Sequence, residues 1–265
     1  MIPKLIHYFW FGRKPIPDQY KEYIDTWKHF LPDYKIIQWN EDNFDVNECR
    51  YCKEAYLKGK WAFVSDYARF KVLYEYGGLY FDTDVEVIKP MEDIIERGAF
   101  VACETEKTIA PGLALGVEPH NEIYKEIIDA YEKRSFIRKN GDMDLTTVVE
   151  FTTDIFKSHG FAGKNEIESF DGLISYPPNY FCPVNYQTGE MVITNETYTI
   201  HHYGASWHTT KERDWLKKEQ ALIQKIGLCR FQKKKKKVWY KIRMNLFCYG
   251  LFGTLRKIIS KIKCK

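Results

Sequence analysis

Asp82 and Asp84 stand two residues apart in the run Leu79-Tyr-Phe-Asp-Thr-Asp-Val-Glu-Val-Ile88, which is rich in β-branched and aromatic residues. Such a run predicts a strand, and on a regular strand residues two apart share a face. Two carboxylates held side by side repel, and each raises the other's pKa unless a cation lies between them. Hard divalent cations suit that place, because Mg²⁺ or Mn²⁺ binds one or two carboxylates together with substrate phosphates. The spacing predicts a metal–diphosphate site at a strand end, with a solvated strand end as the plain alternative. Upstream, Ser65, Asp66 and Arg69 fall at i, i+1 and i+4 of a predicted helix. Ser65 and Arg69 then share a face, with Asp66 beside them. An arginine meets phosphates or hydroxyls in a planar fork, and an aspartate accepts hydrogen bonds from hydroxyls. Far downstream His201 and His202 adjoin. Imidazole is a frequent ligand for transition metals. Alternation along a strand sends the two rings to opposite faces, so one is expected to ligate and the other to pack.

These residues need a frame. Ala62, Ser65, Ala68, Arg69, Val72 and Leu73 recur at helical spacing, and Gly77-Gly78 then stops the helix. Ile2 to Gly12 reads as an opening strand that is apolar on both faces, which suits a central position in a mostly parallel sheet. Tyr20 to Leu31 reads as a helix and Tyr34 to Trp39 as a second strand, completing a βαβ unit with a right-handed crossover. Asn40 caps a polar helical stretch to Lys60. Short strands are expected at 100–103 and 113–117, with a polar loop between them that could border an acceptor. Amphipathic helices are expected at 121–134 and 148–158. A strand from Gly172 runs into a proline-bound loop, and a late strand and turn covers 196–207. A polar helix at 212–226 ends the body.

Ser65-Asp66-x-x-Arg69, then Leu73-Tyr-Glu-Tyr-Gly-Gly-Leu-Tyr80, then Asp82-x-Asp84 together resemble a known signature. It is that of the family 32-type glycosyltransferases with a DXD sugar-binding region, the bacterial capsular and fungal mannosyl- or galactosyltransferase-like enzymes. The stretch is more distantly similar to the glucosylating domain of large clostridial toxins. The resemblance extends to about Trp207. It implies an α/β fold of the GT-A type, with helices flanking the sheet, and glycosyl transfer with retention at the anomeric carbon. It gives Asp66 and Arg69 to the donor sugar, and Tyr8, Trp10 and Tyr80 to the nucleotide. It makes Asp82, Asp84 and a late histidine the ligands of Mn²⁺ or Mg²⁺. His202 is favoured by its distance before Trp207, while His201 fits a His-x-x-Gly spacing and stays open. Ser206 and Trp207 are expected to close over the diphosphate. Asp144 or Thr146, at a polar loop–helix junction, is the candidate group below the anomeric carbon. The implied donor is a nucleotide diphosphate sugar, UDP-linked rather than GDP-linked. The implied acceptor is a hydroxyl of a capsule, O-antigen or lipid-linked glycan. Retention asks for no general base on the protein, and none is evident. The rival readings are an inactive, membrane-surface binding relative and an enzyme acting on a protein acceptor.

Charge divides the chain. Residues 228–265 hold 13 Lys and Arg and no acid, leaving 27 basic against 36 acidic residues before them. The expected organisation is a catalytic domain at 1–227 and a basic amphipathic helical tail at 228–265. With Trp239, Tyr240 and Phe247 among its cations, the tail is expected to lie on an anionic membrane surface. Its apolar content favours a membrane over nucleic acid, which cation density alone would also attract. Its run Leu246–Leu255 is too short to span a bilayer. Seven scattered cysteines without a paired framework, and an opening that does not read as an apolar leader, lead to the expectation of reduced thiols and a cytosolic setting. The location expected is cytoplasmic, peripheral on the inner face of the cell membrane.

Overall fold

The computed structural model describes residues 1–204, 210–235, 240 and 242–250. In chain order the first 201 residues form β1 (Leu5–Phe9), α1 (Asp18–Phe30), β2 (Lys35–Trp39), α2 (Arg50–Leu57), α3 (Trp61–Tyr76), β3 (Gly78–Tyr80) and β4 (Val85–Val87). Then come α4 (Glu92–Ile95), β5 (Phe100–Thr105), β6 (Thr108–Ile109), β7 (Leu115–Val117), α5 (Glu122–Glu132), α6 (Val148–Ser158), β8 (Glu168–Phe170), β9 (Leu173–Tyr176), α7 (Pro178–Phe181) and β10 (Thr199–His201).

Eight strands make the main sheet, in the order β2-β1-β3-β7-β5-β9-β8 with β6 paired to β5. β2, β1 and β3 pair in parallel, as do β5 and β9. β7 runs antiparallel to β3 on one side and β5 on the other. Two reversals restore direction, so β1, β2, β3, β5 and β9 all point the same way. The sheet is mixed in pairing, mostly parallel in direction and flanked by helices. This is the α/β class expected. Apolar cores lie on both faces, which is why β1 is buried on both sides from Ile6 to Phe9. α3 packs against β1 and β3 and also against α2 and α5. It buries Asp66 and Arg69 together with Phe63, Val64, Tyr67, Ala68, Phe70, Val72 and Leu73. Its surroundings, more than its own periodicity, make it a core helix.

Gly77 and Gly78 hold the turn from α3 into β3 at φ of 62° and 103°. A Cβ on Gly77 would lie 2.6 Å from Pro119 Cδ, and one on Gly78 would lie 2.7 Å from the Leu5 carbonyl oxygen. Left-handed geometry and close approach both demand glycine there. The Gly77 carbonyl accepts from His7 Nε2 at 2.9 Å, while His7 Nδ1 accepts from Trp39 Nε1 at 3.0 Å. Burial lowers the His7 pKa to about 4, against the opposing pull of the bond to Gly77. The folded state thus binds its proton less readily than an unfolded chain with a histidine near 6.5. The His7 contribution is intact above that value and is lost as pH falls from 6.5 through 4. Over that window urea unfolding should show a decrease on the order of 3 kcal/mol that His7→Gln removes. Equal pH slopes for the two proteins would show that His7 is not the group responsible.

The predicted single strand 79–88 is instead two strands. β3 ends at Tyr80, and the Val85 N–H donates to the Asp82 carbonyl at 3.0 Å to close a turn. β4 then leaves the sheet and pairs antiparallel with β10. Asp and Thr favour such turns because their side chains compete for backbone partners. The predicted helical stretch 41–60 shortens to α2, with Cys49 as its cap; Cys49 Sγ accepts from the Cys52 N–H at 3.3 Å. Cys49, Cys52, Cys103, Cys182 and Cys248 are free thiols.

By internal compactness the chain divides into Met1–Val184 with Val192–Tyr203, and Asn185–Met191 with Gly204–Lys265. The change of charge at Leu228 falls within the second unit. That unit carries α8 (Thr210–Ile226) and α9 (Leu228–Lys235). Trp215 and Phe231 are buried, and Glu219 accepts from Trp215 Nε1 at 3.0 Å and from the Tyr240 hydroxyl at 2.9 Å. Phe247 packs on Trp215 at 5.3 Å between centroids. Tyr240 and Phe247, expected at a membrane, therefore pack within the unit. Trp239 and residues 251–265 lie outside the described residues. Among the described residues no helix is long and apolar enough to cross a membrane.

Candidate active site

α3 presents Asp66 and Arg69 to the end of β3. Arg69 Nη2 donates to Asp66 Oδ1 at 2.8 Å, and its Nε donates to the Ser65 carbonyl at 3.1 Å. Arg69 Nη1 lies 3.4 Å from Asp82 Oδ1. The Tyr80 hydroxyl donates to that same oxygen at 2.5 Å, and its ring lies 4.8 Å under the Arg69 guanidinium. Burial raises the Asp66 pKa to about 7 despite the neighbouring Arg69. Burial disfavours the Arg69 cation too, but Asp82, Tyr80 and Asp66 outweigh it and hold the group charged. The result is one fixed cation beneath the Asp82 carboxylate. Ser65 turns its hydroxyl back to the Ala62 carbonyl at 2.8 Å, so it braces α3. Tyr80 is fully buried and supports Asp82, where it was expected to line a nucleotide site.

The β4–β10 ribbon brings in the late histidine. His201 pairs with Val85, and the His202 N–H donates to the Asp84 carbonyl at 2.9 Å. His201 Nε2 then lies 3.2 Å from Asp84 Oδ1. Ligand atoms of Asp82, Asp84 and His201 all fall within 4.8 Å of one another. Burial pulls the His201 pKa down, but Asp84 foremost, with Asp82 and Glu104 adding, raises it above the ordinary value. His202 goes the other way. Its Nε2 meets Glu86 Oε2 at 2.7 Å, and its ring stacks on Tyr23 at 4.3 Å with 4° between planes. The structure brings His201 to the two aspartates and turns away the favoured His202, as alternation along the ribbon requires.

The donor set fits a divalent ion. Ligands around one octahedral ion at ~2.1 Å lie roughly 3 to 4 Å apart, and these three atoms lie within 4.8 Å of one another. Two carboxylates with one imidazole suit Mn²⁺ better than the oxygen-preferring Mg²⁺.

Other expected residues take different places. Tyr8 is core: it is 7% exposed, lies edge-on to Trp27 and donates to Gln38 Oε1 at 2.9 Å. A ring so enclosed has no face for a base. Trp10 is half-buried at the end of β1, with its Nε1 donating to the Lys14 carbonyl at 2.7 Å. Asp144 is held by Arg134 Nη2 at 2.8 Å and Arg138 Nη2 at 2.9 Å, and it accepts from Thr146 Oγ1 at 2.7 Å. Burial opposes its charge, but these donors keep its carboxyl well below the usual range. Asp144 and Thr146 thus fasten the loop before α6. Ser206 and Trp207 lie outside the described residues.

Gly112 was missed. The Asp82 N–H donates to its carbonyl at 3.0 Å. A Cβ there would lie 2.1 Å from Asp82 Oδ2 and 3.3 Å from Arg69 Nη1. The only hint in the sequence is a Pro-Gly pair in a polar loop.

Residues 17–101 match the family described as the glycosyltransferase sugar-binding region containing the DXD motif. Over that stretch, about a third of its length, the chain is similar to this DXD glycosyltransferase family. It is 27% identical over 224 residues to an uncharacterised glycosyltransferase of Acanthamoeba polyphaga mimivirus, covering 78% of this chain and 84% of that protein. It is 23% identical over 238 residues to inositol phosphoceramide mannosyltransferase 2 of Schizosaccharomyces pombe, covering 86% of this chain and 65% of the relative. It spans only 35% of inositol phosphoceramide mannosyltransferase 1 of that yeast, at 28% identity over 40% of this chain. Among solved structures, the glycosyltransferase involved in glycosylation of the PBCV-1 major capsid is 13% identical with a TM-score of 0.45, covering 83% of this chain and all of that one. The matched region spans the helix that carries Asp66 and Arg69 and the Asp82-x-Asp84 turn.

Proposed function

We propose that this glycosyltransferase moves a hexosyl unit from a nucleoside diphosphate sugar to a hydroxyl, with Mn²⁺ or Mg²⁺ held by Asp82, Asp84 and His201. The supporting observation is the convergence of two carboxylates and an imidazole next to the buried Asp66–Arg69 pair. Bound there, the cation would offset the charge that develops on the departing diphosphate. Asp66 accepts hydrogen bonds from donor-sugar hydroxyls, and Arg69, anchored to α3 by the Ser65 carbonyl, holds Asp82 in line. Tyr80 shares that task from below. The anomeric carbon–phosphate oxygen bond breaks as the bond to the acceptor oxygen forms on the same face. The acceptor's proton passes to the leaving phosphate oxygen, so no protein base is consumed.

Four curated relatives are named as mannosyl-transferring proteins, among them an initiation-specific alpha-1,6-mannosyltransferase of Candida albicans. Mannose is therefore the first hexose to test, and a GDP-linked donor stands beside the UDP-linked one expected from the sequence. The deciding experiment follows nucleotide release from UDP-glucose, UDP-galactose and GDP-mannose with Mn²⁺, with Mg²⁺ and with EDTA. Release from one donor that EDTA stops is expected. No metal-dependent release from any of them would defeat the reading.

The basic tail, with 13 cations and no acid, supports a place on the cytoplasmic face of a membrane, near a lipid-linked or surface glycan acceptor. Co-sedimentation with vesicles containing phosphatidylserine, and not with neutral ones, is the expected result. Equal sedimentation with both would remove the electrostatic basis.

A further inference from the structure

Cys49 and Cys52 stand together at the start of α2, and the proposed transfer reaction uses neither. Cys49 is the N-cap, with extended backbone at φ −133° and ψ 157°, and Cys52 is the third residue of the helix. Side chains at these two positions meet in a reciprocal cap, each reaching toward the other's backbone. Here both are thiols. Cys49 Sγ accepts from the Cys52 N–H at 3.3 Å, and the Cys52 thiol donates to the same sulfur. Tyr51 between them is fully buried, its ring 5.0 Å from that of Tyr131, 5.5 Å from that of Phe136 and 5.1 Å from the Arg134 guanidinium. The turn is anchored, and the two sulfurs are held facing each other. Structural zinc takes four ligands, and among the described residues no third metal-ligating group gathers with these two.

Burial by itself makes a cysteine inert, because apolar surroundings disfavour the thiolate. Cys103 and Cys182 follow that rule. Each is 4% exposed, and burial pushes their thiols up to about 12 and about 11. Cys49 is as enclosed, at 5%, yet its pKa is lowered. The donating Cys52 thiol is the main cause, and the N–H groups of Cys52 and Tyr51 add to it against burial. Cys52 is pushed the other way, first by its bond to Cys49 and then by burial. The pair is asymmetric, with one sulfur favoured as the thiolate and the other kept protonated beside it. Glu48 and Arg50 on either side of Cys49 are exposed, so this sulfur lies just beneath the surface.

We propose that Cys49 and Cys52 form a reversible dithiol–disulfide pair that takes a low-molecular-weight disulfide as its oxidant, with Cys49 the attacking sulfur. The inference is independent of the transfer reaction. The Cys49 thiolate attacks one sulfur of the oxidant, the S–S bond breaks, and one small thiolate leaves. Cys52 then loses its proton and attacks the Cys49 sulfur of the mixed disulfide, and the second small thiolate leaves. The departing thiolates take the protons that the two cysteines give up. Two protein thiols become one disulfide, and one small disulfide becomes two thiols.

The test uses the full chain under native conditions with glutathione disulfide, quenched in acid, alkylated and read by peptide mass spectrometry. The expected product carries an internal Cys49–Cys52 link that dithiothreitol reverses. Cys52→Ser should stop at a mixed disulfide on Cys49, and Cys49→Ser should leave Cys52 unmodified. In the reduced wild type, iodoacetamide should label Cys49 at least about tenfold faster than Cys103 or Cys182. A wild type in which Cys49 and Cys52 stay free thiols, or in which Cys49 goes no further than the mixed disulfide, overturns the proposal. So does equal labelling of Cys49, Cys103 and Cys182, which is what burial alone would give. These wild-type readouts decide the matter even where a serine variant fails to fold.

Discussion

Asp84→Asn should fold, bind Mn²⁺ poorly and release nucleotide at least about 10³-fold more slowly than the wild type, a loss of roughly 4 kcal/mol of transition-state stabilisation. The amide keeps the size of the carboxylate and removes its charge. Two things then change together. The cation loses an anionic ligand, and His201 loses the main influence that raises its pKa. The backbone need not move, because the Asp84 carbonyl still accepts from the His202 N–H. His201→Ala should weaken Mn²⁺ binding in the same direction, whereas His202→Ala should not, since His202 engages Glu86 and Tyr23 on the other side of the ribbon. Titration of Mn²⁺ by electron paramagnetic resonance separates the three variants. If Asp84→Asn retains native turnover and native Mn²⁺ affinity, the cation is not held here.

Gly112→Ala should cost at least about 100-fold in turnover while leaving the thermal unfolding midpoint within a few degrees of native. The added methyl would lie 2.1 Å from Asp82 Oδ2 and 2.9 Å from its Cγ. Gly112 is not among the glycines held at positive φ, so alanine meets no backbone penalty. The side chain of Asp82 must therefore swing away. It then gives up the Tyr80 hydroxyl and the Arg69 guanidinium and leaves the cluster with Asp84 and His201. A displacement of about 1 Å at a reacting site is enough for a loss of this size. Full activity with full Mn²⁺ affinity would mean that Asp82 can yield without consequence, and would make its present contacts incidental.

Much of the frame was legible because it depends on local chemistry. The periodicity of α3, the glycine pair after it and the apolar run of β1 are each written in a dozen residues or fewer, and each formed where expected. The same holds for α6, whose Thr147 and Glu150 make a reciprocal cap. What stayed hidden depends on partners distant in the chain. A continuous strand over 79–88 satisfied every local preference, yet β4 leaves the sheet because β10 offers it a partner. Tyr8 alternates with Phe9 on a strand apolar on both faces, so no pattern distinguishes a ring under Trp27 from one open to a base. Asp144 looked like an uncommitted carboxylate, and two arginines six and ten residues upstream engage it.

By itself the sequence determined the residue types that can do this chemistry, the helix that carries Asp66 and Arg69, and the family they resemble. Only the tertiary structure decided which histidine joins the two aspartates and that Gly112 must lack a side chain. The physical reason is the same in each case. Alternation says that neighbours point apart, but the docking of one strand on another sets which of them points inward.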